Sequence, residues 1–182
     1  MDLRFMAHAD DRCIRPLPSL KASKSVRPNP IETFVRIATA ESYAYERIGE
    51  HEVHVSLTGL WCDHDLSLSW DAAEEHLSLF ILFDGKVPGG RSDAICRLLS
   101  LLNERLTAGH FDYWQRNSTL VYRHAVSLRG GAKLGIDQAL DLMSQALDAA
   151  ERGYPAAQYV IWAGKSPEDA LAEALVDIAS HG

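Results

Sequence analysis

A hydrophobic period that switches four times between helical and extended spacing limits what this chain can fold into. Ile31, Phe34, Val35 and Ala38 fall at i, i+3, i+4 and i+7, one apolar face of a short helix ending near Glu41. Asn29-Pro30-Ile31-Glu32 supplies its start, with Asn29 as N-cap, Pro30 at the first helical position and Glu32 reaching back. From Tyr43 the period becomes two. Tyr45–Ile48 reads as a short strand turned at Gly49-Glu50, and Val53, Val55 and Leu57 alternate with polar residues up to Gly59. His64, Leu66, Leu68 and Trp70 make a third strand. His76–Phe83 is apolar at both parities, which predicts a central strand.

After Pro88 the helical period returns. Ile95, Leu98, Leu99, Leu102 and Leu106 form the stripe of a second helix, closed by Gly109. His110–Gln115 and Leu120–Leu128 predict two more strands around Asn117-Ser118. Ile136, Leu140, Met143, Leu147 and Ala150 mark a third helix, which Gly153-Tyr154-Pro155 is expected to interrupt. Ala156–Ala163 fits helix or strand, and Pro155 favours helix by suiting a first turn. Ser166-Pro167-Glu168-Asp169 opens a last helix running to about Ala179. Helix, four strands, helix, two strands and helices predict an α+β domain built on an antiparallel sheet.

Residues 1–28 stand apart from this pattern. They carry six basic residues (Arg4, Arg12, Arg15, Lys21, Lys24, Arg27) against Asp2, Asp10 and Asp11, hence +3, within a chain of net charge −7. Residues 29–182 therefore carry −10. Pro16, Pro18 and Pro28 and the missing apolar period predict a disordered or loosely packed basic tail, with 29–182 as a single domain. An arginine-rich transit segment is the alternative; a signal peptide would need a longer apolar stretch. No apolar run exceeds five residues, as in Leu79–Phe83, so no membrane span is expected. The acidic balance argues against nucleic acid as a partner. Cys13, Cys62 and Cys96 are scattered and odd in number, which fits a reduced, cytoplasmic protein.

The residues that could carry chemistry have plainer structural roles. Gly164-Lys165-Ser166 lacks the glycine of a phosphate loop, since Tyr159 stands there, and Ser166 has a capping task. His51 and His54 point to opposite faces of their strand. Cys62 and His64 share a face, but two ligands do not make a zinc site. No nucleophile elbow occurs, and Cys96 lies on a helix as a structural thiol. No catalytic residue, metal or cofactor is expected.

The aromatic residues are more informative. Trp114 falls on the face of Asp112, opposite Phe111 and Tyr113, so one face sets an aromatic beside a charge, as core edges and interfaces do. A tight hairpin centred on Asn117-Ser118 would oppose Asp112 to Arg123, Phe111 to His124, Tyr113 to Tyr122 and Trp114 to Val121. A longer loop slipping the register by one would turn these partners to opposite faces. Trp61, Phe111, Asp112, Trp114, Arg123 and Trp162 are the candidate partner-binding or architectural residues.

Trp61-Cys62-Asp63, Gly109–Trp114, Val121-Tyr122-Arg123-His124, Tyr154-Pro155-Ala156 and Ile161–Pro167 also occur as an ordered set. Over about residues 29–180 the chain resembles the YbjN-like proteins, a family labelled bacterial sensory transduction regulators. Ala163 departs from the glycine expected there. The resemblance implies the architecture of type III secretion chaperones, a curved antiparallel sheet packed against helices that commonly dimerises. It implies a non-catalytic, protein-binding role of regulatory or chaperone-like kind, with a homodimer and an unknown protein partner. The alternative is a small-ligand sensor or enzyme with a pocket at the sheet–helix junction.

Overall fold

The computed structural model describes residues 29–181; the expectation about the basic tail lies outside them. The order is α1 (Ile31–Ala40), β1 (Tyr45–Gly49), β2 (Glu52–Thr58), β3 (Asp63–Asp71), β4 (His76–Leu82), α2 (Ser92–Asn103), β5 (His110–Trp114), β6 (Thr119–Ser127), α3 (Ile136–Ile161) and α4 (Pro167–His181). The strands form one antiparallel sheet in the order β1-β2-β3-β4-β6-β5. The α+β class and the central position of β4 are as expected.

Alternation sorts the strand residues onto two faces. Val53, Val55, Leu57, Leu66, Leu68, Trp70, Leu77, Leu79 and Ile81 are buried beneath the helices with Ile31, Phe34, Ile95 and Leu98. Burying each such side chain is worth roughly 1.5–3 kcal/mol before chain entropy is counted. The apolar side of α3 is mainly small, with Ala139, Ala146, Ala149, Ala150, Ala156 and Ala157 buried, so the helix lies close on β3, β4 and β6. Helix α1 covers β2 and β3, α2 adjoins β5, and α4 packs on α2 and α3. The opposite, outer face of the sheet is lined by the alternate residues and carries none of these helices.

Two helix starts differ in detail. Asn29 accepts the Ile31 N–H at 3.1 Å, and its Nδ2 donates to the Glu50 carbonyl at 2.6 Å, tying α1 to the β1–β2 turn. Glu32 does not reach back; it takes Arg47 Nη2 at 2.5 Å, which holds its carboxyl below the usual range. Ser166 caps α4 as expected: its Oγ accepts the Asp169 N–H at 3.2 Å.

Gly153-Tyr154-Pro155 does not interrupt α3, which runs unbroken through Pro155 for 26 residues. Proline removes one helical hydrogen bond, at a cost of about 3 kcal/mol. Packing offsets it. Gly153 and Pro155 are both buried, and a Cβ on Gly153 would lie 2.7 Å from the Phe111 ring, so only glycine lets the helix approach the sheet there.

The β5–β6 register also differs. Phe111 opposes Tyr122, Asp112 opposes Val121, Tyr113 opposes Leu120, Trp114 opposes Thr119 and His110 opposes Arg123. The connection is a four-residue loop, Gln115–Ser118, with Ser118 in the left-handed region at φ 54°. Two extra loop residues shift each partner by two positions, so the faces stay as expected while the direct opposites change.

Candidate functional site

Residues from four of the five motifs noted in the sequence, Cys62, Phe111, Tyr122 and Tyr154, meet around the junction of the sheet with α3. Gly59 closes the β2–β3 turn by donating to the Cys62 carbonyl at 3.1 Å. Glu151 reaches down from α3, its Oε2 accepting the Leu60 N–H at 2.8 Å. His64 Nε2 lies 2.8 Å from Glu151 Oε1, and the imidazole is buried. A Cβ on Gly59 would stand 2.1 Å from that carboxylate oxygen, so the turn has room for glycine alone. His64 packs edge-on against Phe83 and Tyr154 at 6.3 and 6.0 Å, and the rings continue through Phe111 to Tyr122 at 5.9 and 5.6 Å. Asn103 brackets Phe111, accepting its N–H at 2.7 Å and donating to its carbonyl at 3.1 Å.

This arrangement joins two layers and does not activate a nucleophile. Cys62 Sγ is 3.9 Å from both nitrogens of His64, so it lies against the ring without the in-plane approach a base needs. Burial pushes the Cys62 thiol up, and the charges of Glu151 and Asp84 push it the same way. The adjoining cleft, bordered by Cys62, Asp63, Asp84 and Tyr154, holds about 30 Å³, the share of one water molecule. Ligand pockets run to roughly 300–1,000 Å³. Among the described residues no group of three or more His, Cys, Asp or Glu side chains is placed to hold a metal ion.

The outer sheet face offers a different surface. Phe80 on β4 and Trp114 on β5 lie 6.2 Å apart across the intervening β6, with the Arg123 guanidinium 5.8 Å from the centre of the Phe80 ring. Arg123 Nη1 is 3.8 Å from Asp112 Oδ2, a diagonal contact on one face and not the directly opposed pair the hairpin suggested. Val121 is buried beneath this group although it belongs to the outer parity, and Leu82 beside it is 41% exposed. Trp114 Nε1 is buried with no acceptor among the described residues.

Across β2, β3, β4 and β6 the floor of this face is small: Ser56, Ser67, Ser69, Ser78 and Ala125. On β1, β2 and β3 it bears Glu46, Glu52, Asp63, Asp65 and Asp71 with no lysine or arginine among its strand residues.

The six candidate residues thus fall in four places. Asp112, Trp114 and Arg123 come together on the outer face, and Phe111 is core. Trp61 is half-buried in the β2–β3 turn. Trp162 caps the end of α3 and is 72% exposed. Sequence reasoning passed over Phe80, Leu82 and Val121 because an apolar strand at both parities reads as one buried on both faces. It passed over Glu151 because nothing local marks a helix carboxylate that meets a turn about ninety residues earlier.

The sequence profile of the YbjN family, described as "Putative bacterial sensory transduction regulator", matches residues 30–158. This chain belongs to the YbjN family. The matched region holds all six strands and ends within α3, so Ile161–Pro167 and α4 lie beyond it. No curated protein matches. Among solved structures, YbjN from E. coli is similar at 12% identity and TM-score 0.47, over 65% of this chain and 84% of that one. The ExsC–ExsE complex follows at 18% identity and TM-score 0.47, over 66% and 86%. The HopA1–SchA chaperone–effector complex has 15% identity and TM-score 0.41, over 66% and 94%.

Proposed function

We propose that this YbjN-family chain is a non-catalytic protein-binding domain, regulatory or chaperone-like in role, whose protein partner lies across the outer face of the sheet. The supporting observation is that face itself. It spans six strands without a helix, has a floor of serines that admits close approach, and ends in the Phe80–Trp114–Arg123 group with Leu82 exposed. Aromatic and arginine side chains beside a polar floor are the composition of binding surfaces. The carboxylates on β1–β3 select for a basic segment. The alternative, a small-ligand sensor or enzyme at the sheet–helix junction, is disfavoured by the 30 Å³ cleft there.

A photo-reactive residue at Ser69 or Leu82 should cross-link one protein from the native lysate, and the same residue at Ala172 on α4 should not. Asp63→Lys/Asp65→Lys should abolish the cross-link. Capture that is equal from α4, or indifferent to the charge reversal, would remove the outer face from the proposal. A homodimer belongs to the same reading, formed through exposed Trp162 and Val176. Light scattering should then give about 40 kDa from a 20.2 kDa chain, falling to the single-chain mass in Trp162→Ser/Val176→Ser. A single-chain mass for the wild type at all concentrations would refute it.

A further inference from the structure

We infer that the free edge of β1 is a strand-addition site for an extended segment of the protein partner, one in which lysine or arginine alternates with apolar residues. This rests on the protein-binding role proposed above and names the chemistry of the partner. Ser56 N–H donates to the Ala44 carbonyl at 2.8 Å, and the register continues with Tyr45 opposite Val55, Glu46 opposite His54 and Arg47 opposite Val53. Bonded pairs alternate along an antiparallel ladder. Ala44 and Glu46 therefore bond to β2, while Tyr45 and Arg47 turn their N–H and C=O groups away from the sheet. β1 is an outermost strand, and all five of its residues are exposed.

The other edge of the sheet is closed. On β5, Asn103 accepts the Phe111 N–H at 2.7 Å and donates to its carbonyl at 3.1 Å, so one side chain of α2 stands where a further strand would bond. The Tyr113 N–H, next along that edge, goes to Asp112 Oδ1 at 2.8 Å. Among the described residues no side chain takes the backbone groups of Tyr45 or Arg47 in this way. Arg47 instead fixes β1 in its extended form, its Nη2 holding Glu32 at 2.5 Å and its Nε donating to the Gly49 carbonyl at 3.0 Å. The edge is formed before a partner arrives, and the ordering cost of binding falls on the partner.

Charge selects the occupant. Tyr45 opposes buried Val55, which places it on the helix-covered side, and it is 44% exposed. Glu46 lies on the outer side with Glu52, Asp63, Asp65 and Asp71. A segment pairing antiparallel with β1 sets its residues alternately beside Tyr45 and beside Glu46. An apolar residue suits the first place and lysine or arginine the second, because unlike charges directly opposite stabilise a sheet and like charges destabilise it. The same rule argues against a second copy of this chain. Antiparallel self-pairing through Tyr45 and Arg47 would set the two Glu46 carboxylates directly opposite each other.

The probe is a short peptide of alternating lysine and valine, blocked at both ends and added at millimolar concentration to the full-length chain. Exchange of the Tyr45 and Arg47 amide hydrogens, followed by NMR, should slow about ten-fold, with Phe111 and Tyr113 unchanged. In the antiparallel register the valines carry the backbone groups that face β1, and the lysine amides point away. N-methylation of the valines should therefore abolish the protection, and N-methylation of the lysines should leave it. Glu46→Lys, at an exposed position, should weaken binding roughly five-fold, and a peptide of alternating glutamate and valine should not protect the edge.

Unprotected Tyr45 and Arg47 amides, protection at β5, equal loss from either methylation, or binding indifferent to Glu46→Lys would overturn the inference. So would slow exchange at Tyr45 and Arg47 in the chain alone that fades on dilution, because that assigns the edge to a second copy. Cross-linking from Ser69 or Leu82 with the β1 edge unprotected would mean that the partner crosses the outer face without adding a strand. Protection at the edge without that cross-link would keep the strand-addition site and remove the outer face.

Discussion

Replacing Glu151 with alanine removes the contact by which α3 holds the β2–β3 turn. The carboxylate accepts from Leu60 N–H and faces His64 Nε2, each at 2.8 Å, with side-chain exposures of 17% for Glu151 and 3% for His64. Leu60 is exposed, so its N–H passes to water at little cost. His64 cannot do the same. An unpartnered buried donor costs about 1–3 kcal/mol, and breaking a fully buried ion pair roughly 3–5 kcal/mol. The partial exposure of Glu151 puts the expected loss at about 2–3 kcal/mol, or roughly 4–12 °C in Tm for a domain of this size. Urea unfolding followed by circular dichroism measures it.

Glu151→Gln keeps an acceptor and should lose only about 1 kcal/mol. Gly59→Ala drives a Cβ to 2.1 Å from Glu151 Oε1 and 2.6 Å from the Cys62 carbonyl. Its cost should therefore shrink, without vanishing, in the Glu151→Ala background. If Glu151→Ala unfolds within about 0.5 kcal/mol of wild type, or if the two substitutions simply add, the turn does not depend on this carboxylate.

Three further outcomes are expected. Gly153→Ala should destabilise by about 1–2 kcal/mol in thermal unfolding, because overpacking against Phe111 outweighs the helical preference for alanine; a stabilised variant would show the contact is loose. Arg123→Ala should cost under about 1 kcal/mol by denaturation, since Arg123 and Asp112 are 27% and 41% exposed at 3.8 Å, and a larger loss would mean that Asp112 is stranded without water. Burial, reinforced by His110, holds His124 below the ordinary imidazole range. The unfolded chain then takes the proton first, so this contribution is complete above about pH 6.5 and is lost as pH falls through the folded value. His124→Gln should narrow the stability gap between pH 7.5 and 5.5, and an unchanged gap would assign the acid sensitivity elsewhere.

Local spacing was enough to place most of the elements and to sort their residues onto faces. Periods of 3.6 and 2 depend only on backbone geometry, so α1, the alternation of β2 and β3, the stripe of α2 and the Ser166 cap could all be read from residue spacing. Parity also put Asp112, Trp114 and Arg123 on one face, and a two-residue change of register left that intact. Whatever depended on a distant partner was decided by tertiary structure. Pro155 breaks helices locally, yet α3 continues because the sheet beneath it rewards continuation through Gly153 and Phe111. The hairpin register followed from a four-residue loop with Ser118 at positive φ, a conformation that spacing does not encode. His64 became a buried joint only because Glu151, 87 residues later, folds over it. Phe80 and Leu82 became surface because all the described helices chose the other side of the sheet. A strand pattern states which residues share a face; only packing states which face is left to solvent.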